Sequence, residues 1–196
     1  MIKHAKTEHP VQDVIAQRWS PYGFADRDVS ENDLRCLFEV ARWAPSSFNE
    51  QPWSFIVATR AQPRAFARVL SCLVESNQVW AKFAPVLALG VAALKFKRNA
   101  KLNRVAIHDL GLATGNLLAE ATARGISAHA MVGIEPDRAR ELYGAPDDCE
   151  VVTGLAIGYV GEPDGLSAEL RQRDLAPRQR KSQREFVFGA SWGEPF

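Results

Sequence analysis

The sequence predicts an α/β or α+β fold built around a mixed central sheet. Three observations lead there. Residues 86–94 form an unbroken apolar run, too long for a half-exposed strand and suited to a central strand covered on both faces. Residues 151–160 form a second, nearly all-apolar run. Between such runs lie segments whose apolar residues recur at three- and four-residue spacing, so helices alternate with buried strands.

The elements follow in order. Pro10 can open a short helix with Val11, Val14 and Ile15 on one face. Ser20-Pro21-Tyr22-Gly23 breaks that pattern. Ser30-Glu31-Asn32-Asp33 reads as a capping-box-like start for a helix carrying Leu34, Leu37, Phe38 and Ala41, which must stop near Pro45. Residues 53–59 are aromatic and β-branched, a strand. Pro63 opens a helix with Phe66, Val69, Leu70 and Leu73, and a short helix covers residues 77–83 before Pro85. After the 86–94 strand, a long Gly/Ala-rich helix is expected over residues 101–124, closed by Gly125 as its left-handed cap. Its small residues, Gly111, Ala113 and Gly115, permit close helix approach. A strand over 126–132, a helix over 136–143 closed by Gly144, and the 151–160 strand complete the core. From residue 162 the chain is polar and proline-punctuated, and it ends in an apolar patch at Phe186, Val187, Phe188 and Trp192.

Composition sets bounds. The 196 residues are 46% hydrophobic and 24% charged, with 24 basic and 23 acidic side chains for a net charge of +1. That length suits one domain, and that balance excludes a uniformly basic nucleic-acid binder and an acidic disordered chain. No apolar run approaches the roughly 20 residues of a membrane span, and no signal peptide is read. Three widely separated cysteines, Cys36, Cys72 and Cys149, fit a reduced, cytoplasmic protein without a zinc site.

Common catalytic motifs are absent. Gly154, Gly158 and Gly161 lie in and after a strand rather than at a strand-to-helix turn, so they are no dinucleotide fingerprint. Ser46 and Ser47 lack a nucleophile-elbow context. His108 and Asp109 are neighbours on the long helix, about 100° apart, and are not expected to pair with each other.

Two polar stretches are unexplained by folding. Ala44-Pro45-Ser46-Ser47-Phe48-Asn49-Glu50-Gln51-Pro52-Trp53 joins a helix end to a strand start, with backbone donors free to bind something. Arg18-Trp19-Ser20-Pro21-Tyr22 is a second polar turn just past a helix. With them come Asn77, Trp80, Ala84 and Pro85 in an N-x-x-W-x-x-x-A-P pattern, then His108-Asp109-Leu110-Gly111-Leu112-Ala113, the turn Met131-Val132-Gly133, and a late basic element, Arg178-Gln179-Arg180-Lys181. In this order and spacing, and over most of its length, the chain resembles the nitroreductase family of FMN-dependent oxidoreductases.

The resemblance implies a three-layer α-β-α fold of the α+β class, and an intertwined homodimer with FMN at the subunit interface. It implies one FMN-binding domain over residues 1–196, with 162–196 a C-terminal extended arm. NADH or NADPH would supply two electrons, passed through FMN N5 in a ping-pong cycle to a small conjugated acceptor such as a nitroaromatic or a quinone. By family position, Arg18, Ser20, Arg178 and Arg180 would hold the FMN phosphate, with Lys181 a near alternative. Asn77 would contact the pyrimidine edge of the ring. The backbone of the Met131, Val132 and Gly133 turn would face N5 and O4. Pro45, Ser46, Ser47 and Asn49 would come from the partner subunit. Trp19 and Tyr22 stand in the same turn where the family often has basic residues, and Trp80 stands at a further basic position. No side chain need act as nucleophile or obligate base, because the chemistry is the cofactor's. The basic run 171–185, six basic against two acidic residues, carries +4 and leaves −3 on the rest of the chain. The segment over 95–101 is short where larger members insert covering helices. Two other readings stay open: another flavin reaction on the same fold (reductive dehalogenation, flavin fragmentation or dehydrogenation), or a non-catalytic flavin- or anion-binding module.

Overall fold

The apolar run at Val86 becomes the middle of a four-stranded sheet. The computed structural model describes residues 3–162 and 165–196; Met1, Ile2, Pro163 and Asp164 lie outside the described residues. Strands β1 (Trp53–Thr59), β2 (Val86–Ala93), β3 (Ser127–Met131) and β4 (Cys149–Gly158) are ordered β1-β2-β4-β3. β2 pairs with β1 from Trp53↔Ala92 to Thr59↔Val86, and with β4 from Val86↔Ile157 to Ala93↔Cys149. All three pairings are antiparallel, so the expected mixed sheet is corrected. An apolar run reports burial on both faces and is silent about strand direction.

Alternation on β2 distributes its side chains to two helical layers. Val86 and Ala88 join the cluster under α2 (Glu31–Arg42) and α5 (Ala106–Ala123), where Leu34, Leu37 and Ala41 meet Ala113, Leu117 and Ala121. Leu87, Leu89 and Val91 face the opposite cluster, with Phe66 and Val69 of α3 (Pro63–Leu70), Trp80 of α4 (Glu75–Ala81) and Ala139 of α6 (Pro136–Tyr143). The result is the expected helix–sheet–helix layering.

Local signals mostly act where the sequence places them. The Ser30 hydroxyl accepts the Asp33 N–H at 3.0 Å and caps α2, a contact worth about 1 kcal/mol. Gly125 (φ +69°) and Gly144 (φ +60°) close α5 and α6 in the left-handed conformation. The first helix, α1 (Asp13–Gln17), is shorter than the pattern suggests. α5 begins at Ala106 rather than near 101, because residues 95–102 fold back as a small hairpin in which Lys95 bridges Leu102. Gly111 and Gly115 face away from α2, and a Cβ added at either would meet nothing.

The C-terminal arm contains a further helix, α7 (Ala168–Leu175), which the polar composition of that stretch conceals. Asp174, 5% exposed, ties it to the N-terminal turn. Its carboxylate accepts the Tyr22 N–H at 2.9 Å and the Gly23 N–H at 3.0 Å.

Candidate active site

The residues proposed as ligands fall into three groups. The first sits at the end of α1. Arg18 follows that helix and donates to Ser20 Oγ at 3.4 Å. Arg178, brought in by the arm, donates to the carbonyls of Lys3 at 2.9 Å and Ala16 at 2.6 Å. Burial, then the charge of Arg180, pulls the Arg18 pKa down; burial, then the charges of Arg18 and Arg180, does the same to Arg178. Three guanidiniums therefore repel one another, and among the described residues none of them is in an ion pair. Their mutual repulsion costs the fold stability, whereas a phosphate would neutralise it through charge-assisted bonds.

Trp19 and Tyr22 do structural work beside this cluster. Lys3 Nζ lies 4.7 Å above the Trp19 ring. The Tyr22 ring is packed edge-on against Trp80 and His129 at centroid distances of 5.1 and 4.8 Å.

The second group joins α4 to the end of β3. Asn77 Nδ2 donates to the Gly133 carbonyl at 2.9 Å, and Trp80 Nε1 donates to Asn77 Oδ1 at 3.3 Å. The amide expected at a ring edge is thus already oriented by this chain, with one N–H left over. A Cβ at Gly133 would sit 2.4 Å from Asn77 Nδ2, so only glycine allows this approach. Val132 is 88% exposed. The N–H groups of Val132 and Gly133 have no acceptor among the described residues. Met131 differs: its side chain is buried in the core, which leaves only its backbone near the turn.

His129 links the first two groups, and the motif pattern did not single it out. Its Nδ1 is 2.9 Å from the Pro21 carbonyl oxygen, and its ring stacks on Trp80 at 4.6 Å. Burial pushes its pKa down, against the opposing Pro21 contact, so the ring is neutral and donates from Nδ1. Strand alternation could have flagged it, since Ala128 points into the opposite helical layer.

The third group is the loop before β1. Phe48 (φ +53°), Asn49 (φ +55°) and Gln51 (φ +51°) are all left-handed, a costly conformation for residues with a Cβ. Ser46 Oγ accepts the Gln51 N–H at 3.0 Å, and buried Asp109 accepts the Ser47 N–H at 3.0 Å. His108 Nδ1 also reaches Asp109 Oδ1 at 3.0 Å. This corrects the expectation that the two could not pair: their side chains bend around the first turn of α5 despite the angle between their Cα–Cβ bonds. Pro45, Ser46, Ser47, Val105, His108, Asp109 and Leu112 line a cavity of about 340 Å³.

The sheet separates this loop from the other two groups. The loop enters β1 at Trp53, on one edge. His129 lies on β3, the other edge, level with Ala156, Leu87 and Ala58 through the ladder. Three strand spacings and five residues of strand put the halves about 14 Å apart across the sheet and about 17 Å along it.

Residues 15–159 match the sequence profile described as the Nitroreductase family. The chain belongs to the nitroreductase family. It is an oxidoreductase of that family. A solved structure described as an oxidoreductase containing FMN is 30% identical, covers 96% of each chain and superimposes with a TM-score of 0.91. A structure from Desulfovibrio desulfuricans in complex with FMN is 27% identical, covers 97% of this chain and 99% of its own, with a TM-score of 0.71. A relative from Archaeoglobus fulgidus, whose name pairs NADH dehydrogenase with NAD(P)H nitroreductase, is 29% identical over 155 residues, 74% of this chain and 83% of its own. Among the described residues, no helix of this nitroreductase is long and apolar enough to cross a membrane.

Proposed function

We propose that this nitroreductase is a homodimeric, cytoplasmic, FMN-dependent NAD(P)H oxidoreductase that reduces a small conjugated acceptor such as a nitroaromatic or a quinone. The observation that carries this reading is the Arg18, Arg178 and Arg180 cluster, which forms no ion pair among the described residues and meets the requirement of an FMN phosphate. FMN, when bound, takes two electrons from NADH or NADPH and passes them to the acceptor.

The chain's own residues position that exchange. Arg18, Ser20, Arg178 and Arg180 hold the phosphate. Asn77 and the free N–H groups of Val132 and Gly133 present donors to the ring edge, in an orientation set by the Asn77–Gly133 bond. Those donors favour the extra negative charge of a reduced ring. Pro45, Ser46, Ser47 and Asn49 complete the site from the partner subunit, because the sheet holds them too far from the arginines of their own chain. A dimer also accounts for the outward face of α5, where Ile107 is exposed beside Gly111 and Gly115. Residues 1–196 act as one domain, with the arm completing the phosphate site through Arg178.

The test is the absorption spectrum of freshly purified protein. A yellow dimer that NAD(P)H bleaches anaerobically is expected. A colourless protein that takes up no added FMN refutes the proposal.

A further inference from the structure

The hairpin between β2 and α5 carries a second concentration of positive charge. Residues 95–104 contain Lys95, Lys97, Arg98, Lys101 and Arg104 and no acidic residue, so +5 sits in ten residues and the rest of the chain sums to −4. All five are exposed, and among the described residues none is in an ion pair.

The hairpin is held in shape. The Phe96 N–H donates to the Lys101 carbonyl at 2.9 Å, and the Ala100 N–H to the Phe96 carbonyl at 2.8 Å. It is also fastened to the strained 45–51 loop. The Lys97 N–H donates to Glu50 Oε1 at 2.7 Å. The Arg98 guanidinium lies 4.0 Å over the Phe48 ring and 5.2 Å from Phe96, and the two rings meet edge to face at 5.9 Å. Phe48 nevertheless remains 72% exposed. Stacking on a ring restrains a guanidinium that would otherwise swing freely in water. The outcome is an aromatic platform rimmed by cations, on the same loop whose Ser46 and Ser47 line a cavity with His108 and Asp109.

We propose that this hairpin binds the phosphates of the dinucleotide reductant and favours NADPH over NADH. The inference rests on the flavin reading, which places the 45–49 loop, and therefore the hairpin fastened to it, over the partner subunit's FMN. Several cations spread along one hairpin suit a ligand with several anionic groups. The 2′-phosphate of NADPH adds about two negative charges to the pyrophosphate that both nucleotides share. Exposed cations also raise the encounter rate of such a ligand, an effect that salt screens.

The experiment is calorimetric titration of the flavin-loaded dimer with NADP⁺ and NAD⁺, which bind without transferring electrons, at low and high salt. The variants are Arg98→Ala and the double variant Lys97→Ala/Arg98→Ala. Tighter binding of NADP⁺ than NAD⁺ is expected, with the NADP⁺ affinity falling about fivefold to tenfold in each variant and by less in high salt. Steady-state KM for NADPH should rise in step while kcat holds. An equal loss for both nucleotides keeps the phosphate site and overturns the NADPH preference. Unchanged nucleotide affinity in both variants overturns the proposal. The flavin spectrum of the same samples separates the two levels. Yellow protein with unaltered nucleotide binding removes the hairpin assignment alone, whereas protein that takes up no FMN removes the flavin reading.

Discussion

His129 Nδ1 lies 2.9 Å from the carbonyl oxygen of Pro21, so a residue of the edge strand holds the turn that carries Arg18 and Ser20. The same imidazole stacks on Trp80, whose indole N–H reaches Asn77. One chain of side-chain contacts therefore runs from the turn assigned to the phosphate to the turn assigned to the flavin ring.

That chain should respond to pH. The folded-state pKa of His129 is depressed, mainly by burial, with the nearby Arg18 charge also lowering it and the Pro21 carbonyl and Asp174 opposing. The unfolded chain therefore binds its proton first. The stability this residue contributes is present above its unfolded pKa of about 6.5 and is lost as pH falls from there toward the folded value. Urea midpoints between pH 7 and pH 5 should fall for the parent protein and fall less for His129→Phe, which keeps the stack and removes the titration. Equal slopes for the two would count against a role for this histidine.

Arg180 offers a clean test of the cation cluster. It is exposed, and its described hydrogen bond goes to the Gln179 carbonyl next to it. Arg180→Ala should leave the melting temperature of flavin-free protein unchanged or slightly raised, because repulsion with Arg18 and Arg178 is relieved. The same change should weaken FMN binding about tenfold, read by fluorescence titration. Loss of both stability and affinity would mean that the cluster is structural.

Gly133 and Asn77 should couple. Gly133→Ala drives a methyl group against Asn77 Nδ2 and Val74 Cγ2, for which the distances are 2.4 and 2.8 Å. A destabilisation of about 1–3 kcal/mol is expected. Asn77→Ala should relieve part of that clash, so the double variant should be more stable than the sum of the single effects implies. Strict additivity in urea unfolding would contradict the close approach.

Ala100 is left-handed at φ +57° and exposed in the 95–102 hairpin. Ala100→Gly should therefore stabilise the protein by about 0.5–1 kcal/mol, since glycine adopts that conformation without the Cβ penalty. Differential scanning calorimetry checks the sign. A lower melting temperature would show that the turn adopts another shape in solution.

Much of the fold was legible because its signals are local. The strand over 53–59, the buried run from Val86, and the glycines that end two helices each depend on a handful of neighbouring residues. Strand direction was not legible, since burial on both faces looks the same in parallel and antiparallel sheets. α7 was hidden because its anchor is a single buried carboxylate, Asp174, amid polar residues, rather than an apolar stripe. The site residues could be nominated from motifs, but their grouping could not. The contact between His129 and Pro21 spans 108 positions, and that between Ser47 and Asp109 spans 62. Only the folded sheet shows that the 45–49 loop lies far from the arginines of its own chain.

The clasp of Asp174 on the Tyr22 and Gly23 N–H groups makes the N-terminal turn depend on the far end of the described chain. The groups that fix the turn bearing Arg18 and add to its charge, Asp174 and Arg178, stand more than 150 residues further along the chain. The cation cluster is therefore complete only once the arm has docked on the N-terminal turn. A polypeptide cut short before α7 would keep all four strands and lose both Asp174 and Arg178, the arm's two holds on that turn.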